Sequence, residues 1–323
     1  MSRTIAVADI GGTHARFALA QIDSGHVVAL GEPVTLKTAE HASFRTAWEE
    51  FGRQADGDLP DALGMAFAGP VGGELLKLTN NPWVIRPALM EEKLGVTRHL
   101  IVNDFGAIAH AVAEFGAEHF LHVCGPDLEL PREGVTTIVG PGTGLGVAQL
   151  LIDGEHRHVI ETEGGHVDFA PLDSLEDQIL AHLRRSFRRV SVERIASGSG
   201  LVNTYTALAA IEGRAVTPPE DKALWSAALE GSDALASAAL DRFCLALGAV
   251  AGDLALAHGA NGVVIAGGLG YRLRDHLHKS GFDDRFIAKG RFERRMEAIP
   301  VKLVTHPQPG LFGAAAAFAQ AYR

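Results

Sequence analysis

The sequence predicts an α/β fold in two domains. Three observations predict it. At 323 residues the chain is longer than one hydrophobic core usually serves. Short β-branched and apolar runs alternate with helical patterns, which implies layered strands and helices. And a strand–glycine turn–strand unit, followed by more strand and then helices, occurs twice at long spacing.

The first occurrence starts with an apolar strand over 4–9, ending in Gly11-Gly12-Thr13. Strands over 16–22 and 26–36 follow, so the glycines read as a hairpin turn. An amphipathic helix is expected over 41–55, then a buried strand over 62–68 stopped by Gly69-Pro70. A strand over 100–104 leads into an alanine-rich helix over 105–115. The second occurrence has strands over 135–139 and 147–152 around the glycine loop 140–146. Helices are expected over 174–185, 200–211, 221–229 and 233–258. A buried strand over 262–266 ends in Gly267-Gly268, a last strand covers 299–305, and Pro309-Gly310 opens a final helix. The boundary between the halves is placed near Gly116.

Composition narrows the function classes. With 47% hydrophobic and 21% charged residues the chain is globular. A net charge of −10 argues against nucleic acid as a partner, because phosphate neutralisation needs a basic face. An acidic protein that binds nucleotide must hold phosphates by backbone N–H groups and a divalent cation. Cys124 and Cys244 have neither disulfide-framework nor metal-ligand spacing. A reducing compartment is the natural reading. No signal-peptide pattern opens the chain and no uninterrupted apolar stretch approaches the roughly 20 residues of a membrane span. A cytoplasmic location with no membrane contact is therefore expected. The basic run Arg184, Arg185, Arg188, Arg189 reads as a solvated helix end.

The two glycine loops carry the chemistry. In Asp9-Ile10-Gly11-Gly12-Thr13, a carboxylate at a strand end precedes glycines whose amides can face an anion, which suits Mg²⁺-bound phosphate. A tight hairpin with Asp9 as a turn cap fits equally well. Gly140-Pro141-Gly142-Thr143-Gly144-Leu145-Gly146 lets backbone approach a ligand closely, and Thr143 adds a hydroxyl. A Rossmann fingerprint would need a helix directly afterwards, but a strand follows, and no Gly-Lys-Ser or Gly-Lys-Thr of a P-loop occurs. Two such hairpins facing each other would grip a triphosphate from both sides.

With these loops, the segments Asp9-Ile10-Gly11-Gly12-Thr13-His14-Ala15-Arg16, Leu78-Thr79-Asn80-Asn81-Pro82-Trp83, Asn103-Asp104-Phe105, Glu163-Gly164-Gly165-His166, Glu193-Arg194 with Ser197-Gly198, and Ala266-Gly267-Gly268 stand in one order. In that order the chain resembles the bacterial glucokinase family of the actin-like ATPase and sugar-kinase superfamily, over essentially its whole length. The resemblance implies a two-domain actin-like ATPase (ribonuclease H-like) fold with ATP and sugar in the cleft between domains. The small domain would be 1–116 completed by 307–323, and the large one 117–306. It implies ATP-dependent phosphorylation of glucose at the 6-hydroxyl, with Mg²⁺ entering on ATP near Asp9. A homodimer is expected from the family and from the prevalence of symmetric oligomers.

The resemblance also assigns residues. Asp104 becomes the base for the sugar's 6-hydroxyl; from position alone it could equally cap the helix that follows. Asn103, Asp104, Glu163, His166 and Glu193 are assigned to the sugar. Asp9, Gly11, Gly12, Thr13, Gly142, Thr143 and Gly144 are assigned to the phosphates, and Gly267 and Gly268 to the adenosine side. Trp83 could wall the sugar pocket or be an ordinary packed aromatic. In the related repressor and kinase (ROK) family the Glu-x-Gly-His pattern accompanies a cysteine cluster and zinc. No such cluster is present here, so no zinc is expected. A sugar-responsive repressor would need a helix-turn-helix ahead of the first glycine loop, where eight residues stand. An actin-like filament former would have no use for the set Glu163, His166 and Glu193.

Overall fold

The computed structural model describes residues 2–55, 58–78 and 81–323. The chain forms two compact units, Met1–Gly116 with His306–Arg323, and Ala117–Thr305.

The first unit begins with β1 (Arg3–Ile10), β2 (His14–Asp23), β3 (His26–Leu30) and β4 (Val34–Lys37), then α1 (Phe44–Gln54) and β5 (Ala62–Phe67). A small ribbon of β6 (Leu76–Lys77) and β7 (Val84–Ile85), α2 (Met90–Leu94), β8 (Arg98–Asn103) and α3 (Asp104–Val112) complete this stretch. The main sheet runs β3-β2-β1-β5-β8, with β4 also pairing with β2. β1 is antiparallel to β2 and parallel to β5, and β5 is parallel to β8. Every residue of β5, and Ile5 to Ala8 of β1, is buried. Strands covered on both faces must be apolar throughout, which is why these runs do not alternate. The single strand expected over 26–36 is in fact two, because Gly31-Glu32-Pro33 interrupts the pairing and Pro33 has no N–H to offer the ladder.

Each face of this sheet has its own cover. On one lies an aromatic layer in which Phe17 stacks on Phe51 at 5.2 Å and meets Phe44 and Trp48. Ser43 starts α1 as its N-cap in a capping box with Thr46. On the other face Ile5, Val7, Ala18 and Ala66 pack with Leu311, Ala314, Ala315 and Phe318 of the C-terminal helix (Pro309–Ala321). That helix also crosses α3 so closely that a Cβ on Gly313 would strike the carbonyl of Ala107.

The second unit repeats the plan. β9 (Phe120–Cys124) precedes β10 (Gly134–Pro141), β11 (Leu145–Asp153) and β12 (His156–Thr162). The helices α4 (Ser174–Leu183), α5 (Gly198–Ile211), α6 (Asp221–Glu230) and α7 (Ala234–Ala257) follow, then β13 (Gly262–Ile265), α8 (Gly267–Arg272), α9 (Phe282–Ile287), α10 (Glu293–Glu297) and β14 (Val301–Val304). Its sheet runs β12-β11-β10-β13-β14-β9. β10 is antiparallel to β11 and parallel to β13, as β1 is to β2 and β5. β9 and β12, at the two edges, were not evident from sequence: β12 buries none of its residues, so it carries no apolar pattern.

α7 is long and apolar enough by composition to cross a membrane, but 61% of its most apolar window is buried against neighbouring helices and strands, as in a core helix. α4, α7 and α9 are further joined by charge. Asp173 caps α4 through the N–H groups of Leu175 and Glu176 and accepts from Arg242 (2.6 Å) and Arg285 (2.8 Å).

The Gly313 crossing generates a test. Gly313→Ala is expected to destabilise the protein by about 1–3 kcal/mol, the usual cost of forcing a methyl into a filled contact. Urea unfolding followed by circular dichroism would read it as a lowered midpoint, and an unchanged midpoint would mean that the two helices can separate without cost.

Candidate active site

In the first unit, Asp9 and the Gly11–Thr13 turn are held from several sides. The Gly11 N–H donates to the His14 carbonyl (3.0 Å), closing the turn. The Gly12 carbonyl accepts from the Thr38 hydroxyl (2.7 Å) and the Asn81 amide (3.3 Å), and the Thr13 carbonyl from the Thr38 N–H (3.0 Å). Asp9 lies in β1 opposite Arg16 of β2, whose guanidinium donates to its Oδ2 at 3.3 Å. Gly310, at the start of the C-terminal helix, has no side chain to hold this carboxylate away. Burial pushes the Asp9 carboxyl above the usual carboxylate range, opposed by the charge and hydrogen bond of Arg16. Asp9 is therefore an ion-paired strand residue and not a turn cap.

Asn103 and Asp104 stand where β8 passes into α3. The cap is Asn103: its Oδ1 accepts from the N–H groups of Phe105 (2.9 Å) and Gly106 (3.3 Å), and its amide donates to the Gly69 carbonyl (3.4 Å). Asp104 is the first residue of the helix, half-buried, and its Oδ1 shares the Phe105 N–H at 3.0 Å. The capping role open to Asp104 from sequence is thus performed by its neighbour.

Trp83 belongs to the aromatic layer. Its ring is buried, lies edge-on to Phe44 and donates through Nε1 to the His41 carbonyl (2.9 Å). Thr79 and Asn80 of the same segment lie outside the described residues.

In the second unit the strands zip further into the glycine loop than expected. Gly140 pairs with Gly146 and Pro141 with Leu145, leaving Gly142-Thr143-Gly144 as the turn. The Gly142 N–H donates to the Gly144 carbonyl (2.8 Å), and the Gly142 carbonyl accepts from the Gly198 N–H (2.8 Å). Gly198 opens α5, whose N-cap is the fully buried Ser197. Gly267, at φ +78°, sits against the Pro141 carbonyl, where any side chain would collide. Of the two adenosine-side glycines expected from sequence, Gly267 therefore touches the base of the phosphate-side turn.

Glu163 precedes and His166 ends the single-turn helix Gly164–His166. Their side chains are exposed and lie 4.0 Å apart, while Gly164 and Gly165 press against Val147 and the Leu145 carbonyl. The turn Val192–Arg194 packs on this one and presents Glu193. Glu193 does more than its assignment to sugar suggested: its Oε2 accepts from the Leu145 N–H at 2.9 Å. Gly198 braces the glycine turn and Gly310 adjoins Asp9; Ser197-Gly198 stood among the segments of the resemblance and Gly310 at the last helix, neither with a role in the site. Their only local signal is small residues at helix starts.

Taken unit by unit, the site residues comprise two hydrogen-bonded glycine turns, a carboxylate on a helix's first turn, and the residues Glu163, His166 and Glu193 on two packed turns, types suited to vicinal hydroxyls. A family model described as Glucokinase matches residues 6–321. The chain belongs to the glucokinase family. A glucokinase of Zymomonas mobilis is 63% identical over 318 residues, covering 98% of each chain. One of Paramagnetospirillum magneticum is 40% identical, covering 98% of this chain and 97% of that one. The crystal structure of a glucokinase from an Antarctic psychrotroph superposes with a TM-score of 0.85 at 32% identity, covering 98% of each chain. The two matching sheets are thus the actin-like ATPase architecture of the glucokinase family.

Asp9 yields a stability prediction with a definite sign. A carboxyl whose folded-state pKa lies above its unfolded value opposes folding wherever the unfolded carboxyl is ionised, above about pH 4. The cost vanishes as pH falls below that. Asp9→Asn is therefore expected to melt at the same temperature as the parent or higher at about pH 7–8, with the advantage shrinking toward about pH 4. Differential scanning calorimetry across this range checks it. A clear fall in Tm at neutral pH would mean that the Arg16 pair outweighs the burial cost.

Proposed function

We propose that the protein transfers the γ-phosphoryl group of MgATP to the 6-hydroxyl of glucose, releasing ADP and glucose 6-phosphate. Membership of the glucokinase family over nearly the whole chain supports the reaction. The observation that carries the assignment of roles is the division of labour at the start of α3. Asn103 caps the helix through two N–H groups, and Asp104, sharing one of them through Oδ1, stands beside it on the first turn, where its carboxylate would meet the hydroxyl.

Asp104 first accepts a hydrogen bond from the 6-hydroxyl and so aims the oxygen at phosphorus. The O6–Pγ bond then forms as the bond from Pγ to the β–γ bridging oxygen breaks, and ADP departs with that oxygen. A carboxylate is a weak base toward an alcohol. The loose transition state tolerates this, because the attacking oxygen gains acidity only late, when its proton passes to Asp104. Asn103, Glu163, His166 and Glu193 hold the remaining hydroxyls. The turns at Gly11–Thr13 and Gly142–Gly144 would bind the phosphates, Asp9 would hold the Mg²⁺ that supplies charge neutralisation on ATP, and Gly267 and Gly268 would line the nucleoside. A reducing cytoplasm suits the two buried free thiols, Cys124 and Cys244.

Two measurements test this reading. In a coupled ADP-release assay glucose should show a higher kcat/KM than fructose, mannose or N-acetylglucosamine. A site built to bond particular hydroxyls can discriminate by roughly 10⁴ against analogues lacking them. Another hexose with the higher value would make this a kinase of that sugar. Separately, Asp104→Asn should lower kcat by roughly 10² to 10⁴ with little change in Tm, since the cap belongs to Asn103. Retention of more than about a tenth of the parent kcat would remove Asp104 from proton transfer.

A further inference from the structure

Glu193 stands within the second unit at a junction between two groups of residues that the proposed reaction uses differently. Its backbone is on the turn Val192–Arg194, packed against the turn that carries Glu163 and His166. Its carboxylate meets the glycine turn, where Oε2 accepts from the Leu145 N–H at 2.9 Å. The fit is close: a Cβ added to Gly144 would lie 2.5 Å from that same Oε2. Leu145 is fixed on its other side as well, its carbonyl pressed against Gly165 of the Glu163–His166 loop.

We infer that Glu193 is a positioning residue for the nucleotide as well as a sugar ligand. One carboxylate oxygen sets the geometry of the phosphate-binding turn by anchoring the first residue after it, and the other is left to a glucose hydroxyl. The inference rests on the proposed reaction and adds to it a direct link between the two substrates' contacts in a single side chain. A carboxylate suits both roles, since its two oxygens accept in divergent directions and a charged acceptor strengthens each bond. The absent side chain at residue 144 follows from the same arrangement, because only glycine leaves Oε2 its position.

The test separates this link from the overall reaction. Glucose turnover by the parent protein settles the proposed function first. AMPPNP binding is then measured by calorimetry with no sugar present. Glu193→Ala should weaken it by roughly tenfold to a hundredfold, as expected for loss of a hydrogen bond to a charged group. Glu193→Gln keeps an acceptor for the Leu145 N–H and should restore nucleotide binding to within about threefold of the parent, while glucose binding stays weakened in both variants. A merely structural role would show as a lowered Tm without this split between Gln and Ala. Gly144→Ala supplies the converse: changed only in the phosphate turn, it should raise the Kd for glucose by displacing the carboxylate. Parent-like AMPPNP affinity in Glu193→Ala, or parent-like glucose affinity in Gly144→Ala, overturns the inference.

Discussion

Backbone pressed directly on backbone is the constraint from which the second unit's chemistry follows. The Leu145 carbonyl meets Gly165, the Pro141 carbonyl meets Gly267, and the Gly142 carbonyl takes the Gly198 N–H. Three separate segments thus converge on one hairpin, each through a residue with no side chain to hold it off. A turn supported in this way offers its amides to an anion without reorganising, which is what electrostatic preorganisation requires. Side chains at Gly165 and Gly267 would collide with those carbonyls, and the loop that carries Glu163 and His166 would have to move off the hairpin.

The same hairpin has been put to different use in the two sheets. β1–β2 and β10–β11 occupy equivalent places, each antiparallel to its partner and continued by a parallel strand. The first carries a charge pair, Asp9 with Arg16, part-way along its ladder, and its turn is held by side chains, Thr38 and Asn81. The second has no charge in its turn and is held by main chain at Gly142 and by the Glu193 carboxylate at Leu145. A carboxylate kept half out of water is costly, and a site that needs one near a cation accepts that cost.

Much of this was legible in the sequence, for identifiable reasons. The buried strands β1, β5 and β13 announce themselves because burial on both faces demands unbroken apolar runs. The long helix α7 shows as an alanine- and leucine-rich stretch starting at the capping residue Asp233. The candidate site residues were named from their order along the chain, which a family preserves. What stayed hidden were contacts between distant segments and choices among rotamers. That Asn103 and not Asp104 caps α3 depends on which side chain turns back along the helix, and both types cap well. That Glu193 reaches Leu145, 48 positions away, leaves no periodic trace. The edge strand β12 escaped because its partners lie on one side only and its residues are polar enough to face water.

The C-terminal helix has a consequence for biosynthesis. It covers one face of the first sheet, yet the ribosome makes it only after the whole second unit. At about 5–20 residues per second, the strands bearing Ile5, Val7, Ala18 and Ala66 wait for roughly 12–60 s after leaving the exit tunnel before their cover arrives. The unit translated second holds all of its own elements in one continuous stretch, so it can finish first. Folding order is then the reverse of synthesis order, and the nascent first unit, with an uncovered apolar sheet, is the species that a chaperone would meet.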